Sequence, residues 1–198
     1  MAGPGYGVHK GIALSIHWRP INRIRQRFLP AGIRDILFDS GSLSVFLEKY
    51  CKGNFNLQLI QQSWQRPLLD EARVLSLATG RYALLREIFL RCDDIPLVYG
   101  RSIIPVRTFT GAERRLARWG QRPLGDYLFA GKKIRRTRIE IAEIHPGDRL
   151  YQQVKKNIAF EDTSLWGRRS VFYIKNKPIL IVEIFLPENI RCMKTENR

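Results

Sequence analysis

Two pairs of long apolar runs, each pair split by a short polar turn, constrain this chain most. The first pair is 82–92 and 97–106, separated by Asp93-Asp94-Ile95-Pro96. The second is 165–175 and 178–187, separated by Asn176-Lys177. Runs of about this length, rich in Val, Ile, Leu, Phe and Tyr and bounded by turn residues, read as β-hairpins. Two further segments alternate like strands: 54–64, where Phe55, Leu57 and Leu59 alternate with Asn54, Asn56 and Gln58, and 134–144, with its mixture of Ile, Arg and Glu. That makes six strands.

Helical patterns lie between the strands. Leu29 to Phe38 has a helical period, with Pro30 suited to a first turn. Leu43 to Cys51 forms a second helix, stopped by Gly53, and Leu68 to Leu77 a third, with Asp70 and Glu71 in its first turn. Thr110 and Glu113 have capping-box spacing for a helix to Trp119, which Gly120 closes. A short segment runs from Leu124 to Phe129, and Asp148 to Lys156 is amphipathic. Hairpins separated by helices, without regular βαβ alternation, predict an α+β fold with one antiparallel sheet. With 198 residues, 1–198 is read as a single domain, its first 20 residues a flexible basic segment.

Two charged residues interrupt the apolar strands. Side chains alternate between faces, so Arg86 shares a face with Leu84, Ile88 and Leu90, and Glu183 with Ile179, Ile181 and Phe185. A bare charge on an apolar face is costly, so each needs a counter-ion or strong hydrogen bonds. Two explanations stay open. The residues are structural, pairing with each other or with Glu87 and Arg101, or they wait for a ligand. Arg168 and Arg169 are adjacent and point to opposite faces, so at most one looks inward. Gly100 interrupts its strand, which suggests a bulge or a close approach.

The net charge is +16, and 14 of the 34 basic residues lie in 81–138 against 5 acidic ones. Such a field attracts anionic substrates, polyanions or anionic membrane surfaces. No phosphate-cradling glycine loop, CxxC pair or HExxH is present, and the three histidines have no metal-ligand spacing. The chemistry therefore falls to arginines, carboxylates and shape, with no metal and no cofactor expected. Cys51, Cys92 and Cys192 have no paired spacing, and the N-terminus lacks a signal-peptide core. Free thiols and a cytoplasmic location are expected.

The chain resembles the chorismate lyase family. The resemblance rests on six pieces in order: Leu85-Arg86-Glu87-Ile88, Gly100-Arg101-Ser102-Ile103-Ile104-Pro105, Pro123-Leu124-Gly125-Asp126-Tyr127-Leu128-Phe129, Ile139-Glu140-Ile141, Leu165-Trp166-Gly167-Arg168-Arg169-Ser170 and Val182-Glu183-Ile184-Phe185-Leu186-Pro187. They span more than half the chain, and no single piece is decisive. The resemblance implies a six-stranded antiparallel sheet, with helices and flap loops closing over a buried ligand. It implies cofactor-free conversion of chorismate to 4-hydroxybenzoate and pyruvate, the opening step of ubiquinone synthesis. A monomer is expected, although the sequence itself does not give the oligomeric state.

By the same resemblance, Arg86 holds the ring carboxylate and Glu183 the 4-hydroxyl. Leu124 packs on the ring, and Leu43 supplies an apolar contact from the N-terminal helical region. Arg101 or Arg168 neutralises the enolpyruvyl carboxylate, and the sequence does not choose between them. The segment 145–164 is longer than in shorter family members and could alter a flap or an edge. Two rivals remain: a ligand-binding domain of the same fold without turnover, and a basic nucleic-acid-binding protein. No nucleic-acid motif supports the second, so no nucleic-acid partner is expected. The surplus charge beyond the pocket would suit peripheral contact with an anionic membrane.

Overall fold

A computed structural model describes residues 16–30, 32–130, 134–186 and 189–190. The expected flexible segment lies outside the described residues up to residue 15. From there the chain is anchored: β1 (Arg19–Pro20) pairs with β6 (Glu140–Ile144), which corrects the flexible reading for that stretch.

Among the described residues the sheet has eight strands, all pairings antiparallel, in the order β1-β6-β7-β8-β4-β3-β2, where β2 is Phe55–Gln65, with β5 (Ile134–Arg136) also on β7. The two hairpins form its centre: β3 (Ala83–Cys92) with β4 (Ile95–Pro105), and β7 (Leu165–Ile174) with β8 (Lys177–Phe185). The β4–β8 ladder joins them. The β7–β8 turn is Lys175-Asn176, one residue earlier than expected, with φ of 49° and 67°. Two successive left-handed residues fit the twist of a two-residue hairpin, and Asn accepts that conformation readily.

The expected count of six strands becomes eight for two reasons. β1 is a two-residue strand with no sequence signal. The predicted strand 134–144 divides into β5 (Ile134–Arg136) and β6, both on β7. Arg136 faces Phe172 and Glu140 faces Arg169, so one extra residue bulges from the edge between them. Such a bulge reverses which face later side chains occupy. Arg136 therefore lies on one face of the sheet and Glu140 on the other.

Each face is covered. On one lie α1 (Arg34–Phe38), α2 (Leu43–Tyr50), the 3-10 helix Gly111–Arg118 and α4 (Leu124–Ala130). On the other, α3 (Leu69–Val74) and α5 (Arg149–Lys155) surround a core that includes Leu85, Phe89, Tyr99, Val182 and Ile184. The long segment 145–164 supplies Leu150, Tyr151 and Val154 to this second core. It thus thickens the layer opposite α2 and α4.

Four local expectations change. Among the described residues of the predicted 29–38 helix, Arg34–Phe38 are α-helical, and Pro30 disfavours helix at Leu29 before it. Thr110 makes no side-chain cap, and 111–118 is a 3-10 helix. Its Glu113 instead accepts from Lys177 Nζ at 2.6 Å. Arg168 and Arg169 are both buried, since both faces of the sheet are covered. Cys51 and Cys92 form a disulfide between the end of α2 and the end of β3, which corrects the expectation of free thiols. Cys192 lies outside the described residues. The cytoplasmic expectation loses the support it drew from free thiols. No helix among the described residues is long and apolar enough to cross a membrane.

Candidate active site

The face beneath α2 and α4 carries a pocket. In an antiparallel sheet, directly opposed residues share a face. Arg86 opposes Ser102, Ser102 opposes Ile181, and Ile181 opposes Ser170, so these four form one row across β3, β4, β8 and β7. The row on one side of it is Ile88, Gly100, Glu183 and Arg168. The roof is Ser42, Leu43 and Ser44 at the start of α2, with Pro123, Leu124, Gly125, Leu128 and Phe129 in or beside α4. Leu43 and Leu124, both buried, thus meet the pocket from its two lids, and the structure brings Arg86 and Glu183 to the same cavity.

Gly100 sits at the centre of this floor. A Cβ there would approach Ile88 Cγ1 to 2.9 Å, so the close approach inferred from sequence is real.

Arg86 is 2% exposed and has no carboxylate partner among the described residues. Its Nε and Nη2 donate to the Gly120 carbonyl at 3.1 and 2.9 Å, and Nη2 also donates to the Arg122 carbonyl at 2.8 Å. Gly120 adopts φ 63°, the left-handed turn that presents its carbonyl there. Three bonds to neutral acceptors fix the guanidinium but leave its charge unbalanced. Burial lowers its pKa to about 10. Nη1 makes no hydrogen bond with the described protein residues, so two donors remain for a ligand.

Glu183 is paired differently. Its Oε2 accepts from Arg168 Nε, directly opposite on β7. Arg168 Nη1 also donates to the carbonyls of Ile36 and Asp39, at 2.7 and 2.6 Å. It therefore ties the C-terminal end of α1 to the sheet. Arg168 is 1% exposed and does not line the pocket, whereas Glu183 does.

Arg101 is engaged on the opposite face. Its Nε donates to Glu71 Oε1 at 2.8 Å, its Nη2 to Glu71 Oε2 at 3.2 Å, and its Nη1 to Glu87. Burial works against this charge, but the two carboxylates outweigh burial and raise its pKa. Of the pairings left open by sequence, Arg101–Glu87 forms and Arg86–Glu183 does not.

Sequence reasoning missed Arg136. It lines the same pocket from β5, with Nε on Ser170 Oγ at 2.8 Å and Nη1 on the Ser40 carbonyl at 2.7 Å. Its guanidinium lies 5.0 Å from the centre of the Phe172 ring. Burial lowers its pKa, with Glu183 opposing that shift and Arg168 adding to it. Alternation alone groups Arg136 with Arg138 and Glu140, and only the bulge separates them.

A buried arginine without a counter-ion, beside a carboxylate in a largely apolar pocket, suits a small carboxylate with an apolar body. The sequence pattern of chorismate lyase matches residues 14–194. The chain belongs to the chorismate lyase family. A protein of Methylococcus capsulatus named "Probable chorismate pyruvate-lyase" is 41% identical over 76% of this chain and 92% of its own length. One of the same name from Halorhodospira halophila is 34% identical over 87% and 91%. Among solved structures, the PhnF C-terminal domain superposes with a TM-score of 0.52 at 13% identity, covering 67% of this chain and 83% of that one. A GntR-family transcriptional regulator from Bacillus cereus gives 0.50 at 15% identity, covering 68% and 92%. These two show the chorismate lyase-like fold alone.

Proposed function

We propose that this member of the chorismate lyase family converts chorismate to 4-hydroxybenzoate and pyruvate, supplying the first aromatic intermediate of ubiquinone synthesis. The observation that carries the reading is Arg86: a buried guanidinium held by carbonyls, uncompensated, with two donors left for a carboxylate in the cavity.

In this reaction the ring C4–H bond breaks and its electrons form the C3–C4 double bond. The C3–O ether bond breaks with its pair leaving on the enolpyruvyl oxygen. The C4 proton ends on the enolpyruvate, which becomes pyruvate, and the ring becomes aromatic. Aromatisation drives the step, so the protein's task is positioning and charge stabilisation. Arg86 would hold the ring carboxylate. Glu183, held by Arg168, would accept a hydrogen bond from the 4-hydroxyl and orient C4. Leu43, Leu124 and Leu128 would exclude water over the ring. The Arg101 charge is already balanced by Glu71 and Glu87, which supports a structural role for it.

The test is direct. The purified full chain, in EDTA with no added cofactor, should release 4-hydroxybenzoate and pyruvate in equal amounts from chorismate. Intact chorismate after prolonged incubation sinks the reading, and tight 4-hydroxybenzoate binding without turnover would mark a ligand-binding domain instead.

A further inference from the structure

Chorismate is a dianion, and only one of its two carboxylates is accounted for by Arg86. Among the described residues, the charged ones around the cavity are Arg86, Arg136 and Glu183, with Arg101 on the intervening strand turning its side chain to the opposite face. Arg101 is spent on Glu71 and Glu87, and Glu183 on Arg168. Arg86 and Arg136 remain, each fixed by neutral oxygens and neither in an ion pair among the described residues. The cavity therefore carries two arginines outside any direct ion pair, with Glu183 and Asp39 acting on Arg136 only from a distance.

Their placement suits two ends of one ligand. Arg86 starts the row that runs through Ser102 and Ile181 to Ser170, and Arg136 Nε is bonded to the Ser170 hydroxyl. Strand spacing puts the two ends of that row roughly 14 Å apart at the backbone. Both side chains line the space between, and Glu183 lies in the adjacent row. Arg136 Nη2 makes no hydrogen bond with the described protein residues.

We infer that Arg136 binds the enolpyruvyl carboxylate of the substrate, the role the sequence left to Arg101 or Arg168. The inference rests on the proposed chorismate chemistry. Arg136 would hold the departing three-carbon unit and offset the charge developing on it as the ether bond breaks. It would leave the aromatic product, which lacks that carboxylate, to Arg86 and Glu183 alone. Weaker retention of the product than of the substrate at this end follows.

The test compares the two ligands. Arg136→Gln should lower kcat/KM for chorismate on the order of 100-fold, while 4-hydroxybenzoate affinity changes by less than about threefold. Arg136→Lys should recover part of the loss, and Arg86→Gln should weaken both ligands. Equal loss of substrate and product binding in Arg136→Gln overturns the inference, since a structural role would do that. So does kcat/KM within about threefold of wild type. Should Arg136→Gln not fold, the wild type answers the question: chorismate methylated on its side-chain carboxylate should bind far more weakly, and unchanged affinity overturns the assignment. Wild-type protein that makes no 4-hydroxybenzoate overturns the proposed activity and this inference together, whereas an active enzyme indifferent to Arg136 overturns the inference alone.

Discussion

Arg168 and Glu183 oppose each other across the β7–β8 ladder, and their ion pair joins the pocket floor to the end of α1. One partner lines the cavity and the other is buried behind it. This separates binding from support within a single pair. Arg168→Ala should cost about 3–5 kcal/mol of stability, because it strips a partly buried carboxylate of its partner and two carbonyls of their donor. Urea unfolding of the two proteins measures this. A midpoint equal to wild type would show that the pair contributes nothing.

Glu183→Gln keeps the shape and a hydrogen-bond acceptor but removes the negative charge. Chorismate turnover should fall at least tenfold, with the melting temperature lowered only modestly. Steady-state kinetics beside a thermal melt decide it; full activity would remove Glu183 from the site.

Arg86 supplies a pH prediction. Burial depresses its folded-state pKa to about 10, so the free pocket loses its cation as pH rises through that value. A bound carboxylate needs the protonated form. Affinity for benzoate, which has no titrating hydroxyl, should be level at neutral pH and fall as pH passes about 10. The sign for stability is opposite. Between about pH 10 and the higher pKa of the unfolded chain's arginine, the unfolded chain binds the proton that the folded one has released, so this residue's penalty shrinks as pH rises. Calorimetric titration of benzoate against pH checks the first statement, and affinity rising above pH 10 would contradict it.

On the opposite face, Glu71 and Arg101 are 2% and 3% exposed. Glu71→Ala also frees the Leu68 amide, which donates to Glu71 Oε2 at 2.9 Å. The loss should be about 3–5 kcal/mol. Turnover per folded molecule should stay near wild type, because Glu71 does not line the pocket. Stability unchanged in denaturant would refute the network's importance.

The Cys51–Cys92 disulfide closes a loop with a sequence separation of 41 and ties the far end of α2, whose first turn roofs the site, to β3. Reduction should destabilise the protein by about 2–4 kcal/mol. Dithiothreitol should therefore lower the urea midpoint of the wild type and leave that of the double variant Cys51→Ser/Cys92→Ser unmoved. Equal behaviour of the two proteins would show that the bridge has no effect.

Strand alternation alone determined that Arg86 and Glu183 sit among apolar neighbours, because side-chain direction in a strand follows from position. Turn chemistry determined the two hairpins, and the ordered pieces from Leu85 to Pro187 carried the family. Pairing belonged to the tertiary structure. Which cation meets Glu183 depends on the β7–β8 register, and Arg101 finds Glu71 only because α3 covers the second face. The disulfide joins cysteines that local sequence leaves unrelated. Arg136 shows the reason most plainly. A single bulged residue between β5 and β6 turns it toward the cavity and Glu140 away, and local periodicity holds no record of that reversal.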